Sequence, residues 1–162
     1  MAPAKHISFS GDWQIQFDTK YGGPASPILV KELKSWTEQV DMGVKYYSGT
    51  AIYSNTFTCD EDNKKAAIIK IDSIYNIASI KVNGIDCGTL WTRPYELDIS
   101  KSIQPGVNKV EIAVSNTWHN RLIGDQSLSP EKRITWTTAP FRLNEKPLQP
   151  AGITGRIVIE VR

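Results

Sequence analysis

With 162 residues, 40% of them hydrophobic and 22% charged, the chain has the size of one domain and a globular composition, which excludes disordered, collagen-like and coiled-coil classes. Nineteen Lys and Arg against seventeen Asp and Glu leave a net charge of only +2, and the basic residues are scattered, so no nucleic-acid partner is expected. Apolar runs such as Ala66 to Ile69 fall far short of the roughly 20 residues that span a bilayer, so no membrane partner is expected either.

In chain order, residues 1–10 read as a flexible N-terminal segment and 11–162 as a single domain. Met1 to Ile7 lack the continuous apolar core of a secretory signal. Period-two alternation begins at Trp13, Ile15 and Phe17, with polar Asp12, Gln14, Gln16 and Asp18 between and beside them, the pattern of a half-buried strand. Leu29, Leu33, Trp36 and Val40 then have roughly helical spacing, but Pro24 and Pro27 precede them and Gly43 follows; a short helix and an irregular packed segment both fit. Strand-like runs resume at Ala51/Tyr53 to Phe57, Ala66 to Ile71, Ala78/Ile80/Val82, Tyr95/Leu97/Ile99, Val110/Ile112/Val114 and Ile157/Ile159/Val161.

Turn chemistry separates these runs. Asn83-Gly84 suits a tight hairpin with positive φ, and Gln104-Pro105-Gly106 marks another reversal. Asp60-Glu61-Asp62-Asn63 lacks the spaced ligands and terminal Glu of a calcium loop and reads as a solvated turn. Cys59 and Cys87 could pair in an oxidising compartment, but they sit in no CxxC or His-rich metal spacing, and two ordinary buried thiols are the preferred reading. Thr117 to Pro150 shows little alternation, and a loop of that length is usually functional or packed as a cap. Short strands joined by turns, with almost no helical sequence, predict an all-β fold, an antiparallel β-sandwich of about eight strands in the jelly-roll manner.

Several segments carry a family resemblance. Tyr47 to Tyr53 with Phe57, then Ala78 to Asn83-Gly84, Gly88, Trp91, Pro94 and Leu97-Asp98-Ile99, and Gly106-Val107-Asn108 resemble, in order, the sugar-binding domains attached to family 2 and family 106 glycoside hydrolases. Asn116 to Asp125 and Leu148, Pro150-Ala151-Gly152-Ile153 and Gly155 continue the match, with Arg156 where the pattern usually has Pro. The resemblance covers roughly Gly11 to Val161 and implies a galactose-binding-like sandwich accessory to a rhamnosidase-like hydrolase. In those families catalysis belongs to a separate, usually barrel-shaped domain, which implies that this chain is no enzyme on its own.

The candidate carbohydrate-binding residues are Trp91, Arg93, Trp118, His119, Asn120, Arg121, Asp125 and Trp136, which fall at strand ends or in the long loop. Aromatic faces stack on the apolar face of a sugar ring, while amides, carboxylates and guanidinium groups bind paired hydroxyls. The competing reading is architectural: Arg121 and Asp125 as an internal ion pair, Trp118 and Trp136 packed under the loop, His119 as a hydrogen-bonding residue. No catalytic residue is assigned. Asp125 and Glu131 are among several acids, but nothing selects the pair that glycoside hydrolysis needs, and no GxSxG, HExxH, P-loop or Rossmann motif occurs.

The expected function is a non-catalytic carbohydrate-binding domain of a polysaccharide-degrading glycoside hydrolase, with an oligosaccharide or polysaccharide and a catalytic domain as partners. The alternative is a structural accessory domain without sugar affinity of its own. The resemblance also implies an extracellular or periplasmic location and is compatible with a structural calcium ion, for which the sequence offers no ligand set.

Overall fold

Alternation in the sequence becomes alternation of burial. Along β2 (Trp13–Gln16), Trp13 and Ile15 are buried while Gln14 faces solvent, and β9 (Gly106–Ser115) buries Asn108, Val110, Ile112 and Val114 in turn. The computed structural model describes residues 4–60, 66–138 and 146–162. Its other strands are β1 (Lys5–Ile7), β3 (Ile28–Val30), β4 (Thr50–Cys59), β5 (Ala67–Tyr75), β6 (Ile77–Val82), β7 (Ile85–Leu90), β8 (Glu96–Asp98) and β10 (Gly152–Val161).

All pairings are antiparallel, in a four-stranded sheet of order β1-β10-β5-β8 and a six-stranded sheet of order β3-β2-β4-β9-β6-β7. Their inner faces share one core. Ile69, Ile153 and Ile159 from one sheet and Tyr53, Ile80 and Ile112 from the other belong to the same buried cluster. Tyr53 stitches the layers together: its hydroxyl accepts hydrogen bonds from Trp36 Nε1 at 2.7 Å and from the Ile153 amide at 3.1 Å. Burial pushes the Tyr53 hydroxyl up to about 12.

The outer faces are largely polar, with Leu29, Ile52 and Val107 exposed on the six-stranded sheet. Gln14, Ser54, Glu111 and Lys81 form one cross-strand row over the six-stranded sheet. The four-stranded sheet carries an ion-pair network in which Lys70 meets Glu160 at 2.6 Å and Glu96 at 3.7 Å, and Arg162 meets Glu160 at 2.8 Å. Neither face is an apolar docking surface.

Several expectations need correction. The described part of the segment expected to be flexible contributes β1, because Ile7 can bury its side chain by pairing opposite Ile159, and Phe9 bridges to Phe57. Ten strands are present among the described residues instead of about eight. The additions β1, β3 and β7 are a three-residue strand on one edge, another on a second edge, and a weakly alternating one. Of the helically spaced Leu29, Leu33, Trp36 and Val40, only Leu33 and Trp36 are buried, while Leu29 is 68% and Val40 93% exposed. That segment is β3, a 3-10 turn at Trp36–Glu38 and a one-turn helix α1 (Met42–Lys45), so the irregular packed alternative holds. Neither cysteine is in a disulfide, but only Cys59 is buried; Cys87 is half-buried, on β7. The Asn83-Gly84 turn joins β6 to β7 with φ of 52° and 77°, as its sequence requires. Of Asp60-Glu61-Asp62-Asn63, all but Asp60 lie outside the described residues; Asp60 pairs with Lys5 at 3.1 Å.

Candidate sugar-contacting end of the sandwich

Strand register decides which loops meet. Leu90 of β7 lies opposite Ala78 of β6, Ala78 opposite Val114 of β9, and Val114 opposite Ala51 of β4. Trp91, which follows Leu90, Asn116 to Trp118, which follow β9, and Ser48-Gly49, which precede β4, therefore emerge at the same end of the six-stranded sheet. The loop leaving β2 arrives there too, because Gln16 pairs with Ile52.

At this end the chain is clamped by polar side chains. Asn116 accepts from the Gly49 amide and donates to the Tyr47 carbonyl, both at 2.9 Å, fastening the turn before β4 to the end of β9. Gly49 has φ of 150°, and a Cβ there would stand 3.1 Å from the Tyr47 hydroxyl and 3.3 Å from the Tyr21 ring, so a side chain is disfavoured by conformation and crowded by its neighbours. Tyr47 accepts from the Asp18 amide at 3.1 Å and donates to the Thr50 carbonyl at 2.7 Å, and burial raises its pKa. Asp18 caps a 3-10 turn at Thr19–Tyr21 by accepting from the Lys20 amide at 2.9 Å. That turn presents Tyr21 edge-on to Trp118, with ring centroids 5.8 Å apart at 71°.

The stretch after Trp118, read as loop, contains an eight-residue helix, α2 (His119–Gln126). Its inner face is polar. Asn120 donates to the Gln149 carbonyl and accepts from the Gln149 amide, both at 2.8 Å. His119 Nε2 lies 3.0 Å from the Pro147 carbonyl. The Arg121 amide donates to Ser48 at 3.1 Å, and its buried guanidinium lies 3.6 Å from Asp125. Asp125, with no exposed side-chain surface, accepts from the Ile134 amide (3.0 Å), the Thr135 amide (2.8 Å) and the Thr135 hydroxyl (2.6 Å).

The eight candidates thus divide. Asn120, Arg121 and Asp125 are buried: Arg121 Nε and Nη2 and Asp125 Oδ1 make no hydrogen bond among the described residues, while the Asn120 and Asp125 side chains and the Arg121 backbone amide hold α2 to neighbouring segments. His119 is engaged with Pro147 in the same way. Arg93 turns toward the other sheet, donating to Ser73 at 3.1 Å and lying 5.7 Å from the Tyr95 ring centroid, in a pocket of about 470 Å³ with Lys70, Asp72 and Glu96. The three tryptophans remain exposed: Trp91 by 71%, Trp118 by 50% and Trp136 by 82%, whereas Trp13 and Trp36 are in the core. Trp136 follows Thr135, which Asp125 holds, and Ile134 approaches Gly22 in the loop leaving β2, so all three emerge at the one end.

A pocket of about 370 Å³ opens beside Trp118, lined by Asp18, Tyr21, Thr50, Ser115 and their neighbours. Of these, only Trp118 was singled out by sequence. The Thr50 and Ser115 hydroxyls lie 2.6 Å apart because β4 and β9 pair those residues directly, a relation invisible without the register. Among the described residues no group of three or more His, Cys, Asp or Glu side chains comes together to hold a metal. No helix among them is long and apolar enough to cross a membrane.

The profile of the family described as the glycosyl hydrolase 2 galactose-binding domain-like family matches residues 36–146. The chain belongs to this family. A protein of Formosa agariphila named as a beta-glucuronidase is 37% identical to this galactose-binding-like domain over 126 residues, covering 75% of the chain and 11% of that protein. The structure of a rhamnosidase from Novosphingobium sp. PP1Y superposes with a TM-score of 0.89 at 36% identity, covering all of the chain and 16% of the rhamnosidase. A Ruminococcus gnavus beta-glucuronidase, 22% identical with a TM-score of 0.56 over 68% of the chain and 21% of its own, shares the fold. The chain therefore spans between a tenth and a sixth of the first two relatives. What it matches in them is an accessory galactose-binding-like domain, not a catalytic domain.

Proposed function

We propose that this domain is a non-catalytic carbohydrate-binding accessory domain of a polysaccharide-degrading glycoside hydrolase, and that its tryptophan-bearing end is the contact face. The observation that carries this reading is the distribution of tryptophan: two rings in the core, three exposed at one end, and sheet faces that are largely polar. Leaving an aromatic ring in water forgoes roughly 1.5–3 kcal/mol of burial, and exposed aromatic platforms are what the apolar face of a pyranose stacks on. A tethered site of this kind raises the effective substrate concentration at a catalytic domain even when its own affinity is weak. The same reading puts the domain in an extracellular or periplasmic setting, where polymeric glycans are met.

The test is a glycan-array screen of the purified 162-residue chain, with calcium and with chelator. Reproducible binding to one class of glycan supports the reading. A blank from folded protein overturns it in favour of a structural role, in which the exposed tryptophans pack on the rest of a hydrolase. That second reading is favoured by the small share of its relatives that the chain spans.

A further inference from the structure

Resting on the carbohydrate-binding reading, we infer that the pocket beside Trp118 is a single-residue subsite for a neutral pyranose, and that it discriminates against uronic acids. Its volume of about 370 Å³ is at the small end of the range for ligand pockets, enough for one sugar ring and not for an extended chain segment.

The walls are chemically asymmetric. On one side stands Trp118, half exposed and braced by the edge of Tyr21, a rigid platform for the apolar face of a ring. The rest of the lining includes groups suited to hydroxyls. The Thr50 and Ser115 hydroxyls share one hydrogen bond at 2.6 Å, which uses one of their two protons and leaves the other, with several lone pairs, for a ligand. Asp18 spends one carboxylate oxygen on the Lys20 amide and lines the pocket with an acceptor that binds a sugar hydroxyl and repels a carboxylate. Asn116 commits one acceptor site to Gly49 and one N–H to Tyr47 and retains a second N–H. No cation is among the described lining residues; the nearby Lys20 ammonium lies 5.5 Å from the centroid of the lining Tyr21 ring.

The experiment is calorimetric titration of the chain with methyl glycosides of neutral hexoses and deoxyhexoses and with the matching uronates, with the Trp118 indole N–H resonance followed by NMR. A neutral glycoside is expected to bind with Kd of about 1 mM and to shift that resonance, its uronate at least about tenfold more weakly. Trp118→Ala and Thr50→Val each weaken neutral binding by about tenfold. Asp18→Asn, which preserves the cap, brings the uronate to within about threefold of the neutral sugar. Equal binding of uronate and neutral sugar by the wild type overturns the inferred class. Neutral binding that survives Trp118→Ala and Thr50→Val puts the sugar elsewhere and sinks this inference while leaving the carbohydrate-binding reading standing. Absence of any glycan binding by folded protein, on the array as well, removes both.

Discussion

Replacing Asp125 with alanine probes the device that shapes the tryptophan-bearing end. The carboxylate has no exposed surface, accepts three hydrogen bonds from residues 134 and 135, and faces the buried Arg121 guanidinium at 3.6 Å. Each hydrogen bond to a charged acceptor contributes about 1.5–3 kcal/mol, and removing one member of a buried ion pair costs about 3–5 kcal/mol because the other charge stays behind uncompensated. These contributions overlap, so about 4 kcal/mol is expected in total. For a domain of this size that lowers Tm by roughly 8–16 °C. The assay is calorimetric unfolding with urea titration, together with hydrogen exchange at the Ile134 and Thr135 amides, which lose protection. The double variant Asp125→Leu, Arg121→Met removes both charges and recovers about half of the loss, the two freed amides accounting for the rest. A loss below about 1 kcal/mol for Asp125→Ala would refute this mechanism.

Tyr53→Phe leaves the Trp36 indole and Ile153 amide without their acceptor and costs about 2–4 kcal/mol by urea titration; a loss below about 1 kcal/mol would show those donors are satisfied otherwise. Because burial holds Tyr53 at about 12 while an unfolded tyrosine ionises near its ordinary 10.0, the stability tied to its protonated form is intact below pH 10 and lost as pH rises through about 12. Ultraviolet titration should show one tyrosine ionising only as the fold is lost. Hydrogen bonds from Lys70, and then from Arg162, hold Glu160 below the usual carboxylate range, so its stabilising contribution is present at neutral pH and disappears as pH falls through that lowered value. Lys70→Met moves the Glu160 carboxyl titration upward in carbon-detected NMR, and an unmoved titration would contradict the pairing. Trp136→Ala changes unfolding free energy by less than about 0.5 kcal/mol, since the ring is 82% exposed; a loss of 3 kcal/mol or more, the scale of roughly 3–5 kcal/mol for a core aromatic, would place it in the core.

Seven of the strands are legible in the sequence because the inner face of each is built from alternating apolar residues, as in Val110/Ile112/Val114 and Ile157/Ile159. Strand β7 escapes that reading: Ile85 is exposed, Gly88 has no side chain to bury, and the register against β6 shifts between Ile80 and Lys81. Helix α2 escapes it for another reason. Asn120, Arg121, Gly124 and Asp125 do have helical spacing, but the buried face they form is polar and carries no hydropathy signal. Asn120 and Asp125 look like sugar ligands because the side chains that bind hydroxyls also bind backbone, and burial tells the two uses apart. Asp18, Tyr21, Thr50 and Ser115 could not be grouped from sequence at all, since they meet through a cap, a 3-10 turn and the pairing of residues 65 positions apart. The tryptophans were legible as candidates because an indole outside any strand pattern has no core position assigned to it.

The most direct test of carbohydrate contact at this end is calorimetric titration of the best array glycan into wild type and into the variant carrying Trp91→Ala, Trp118→Ala and Trp136→Ala together. Measurable affinity in wild type and none in the triple variant, with both proteins folded, is the predicted result. Equal affinity in the two would contradict the assignment of this end as the contact face.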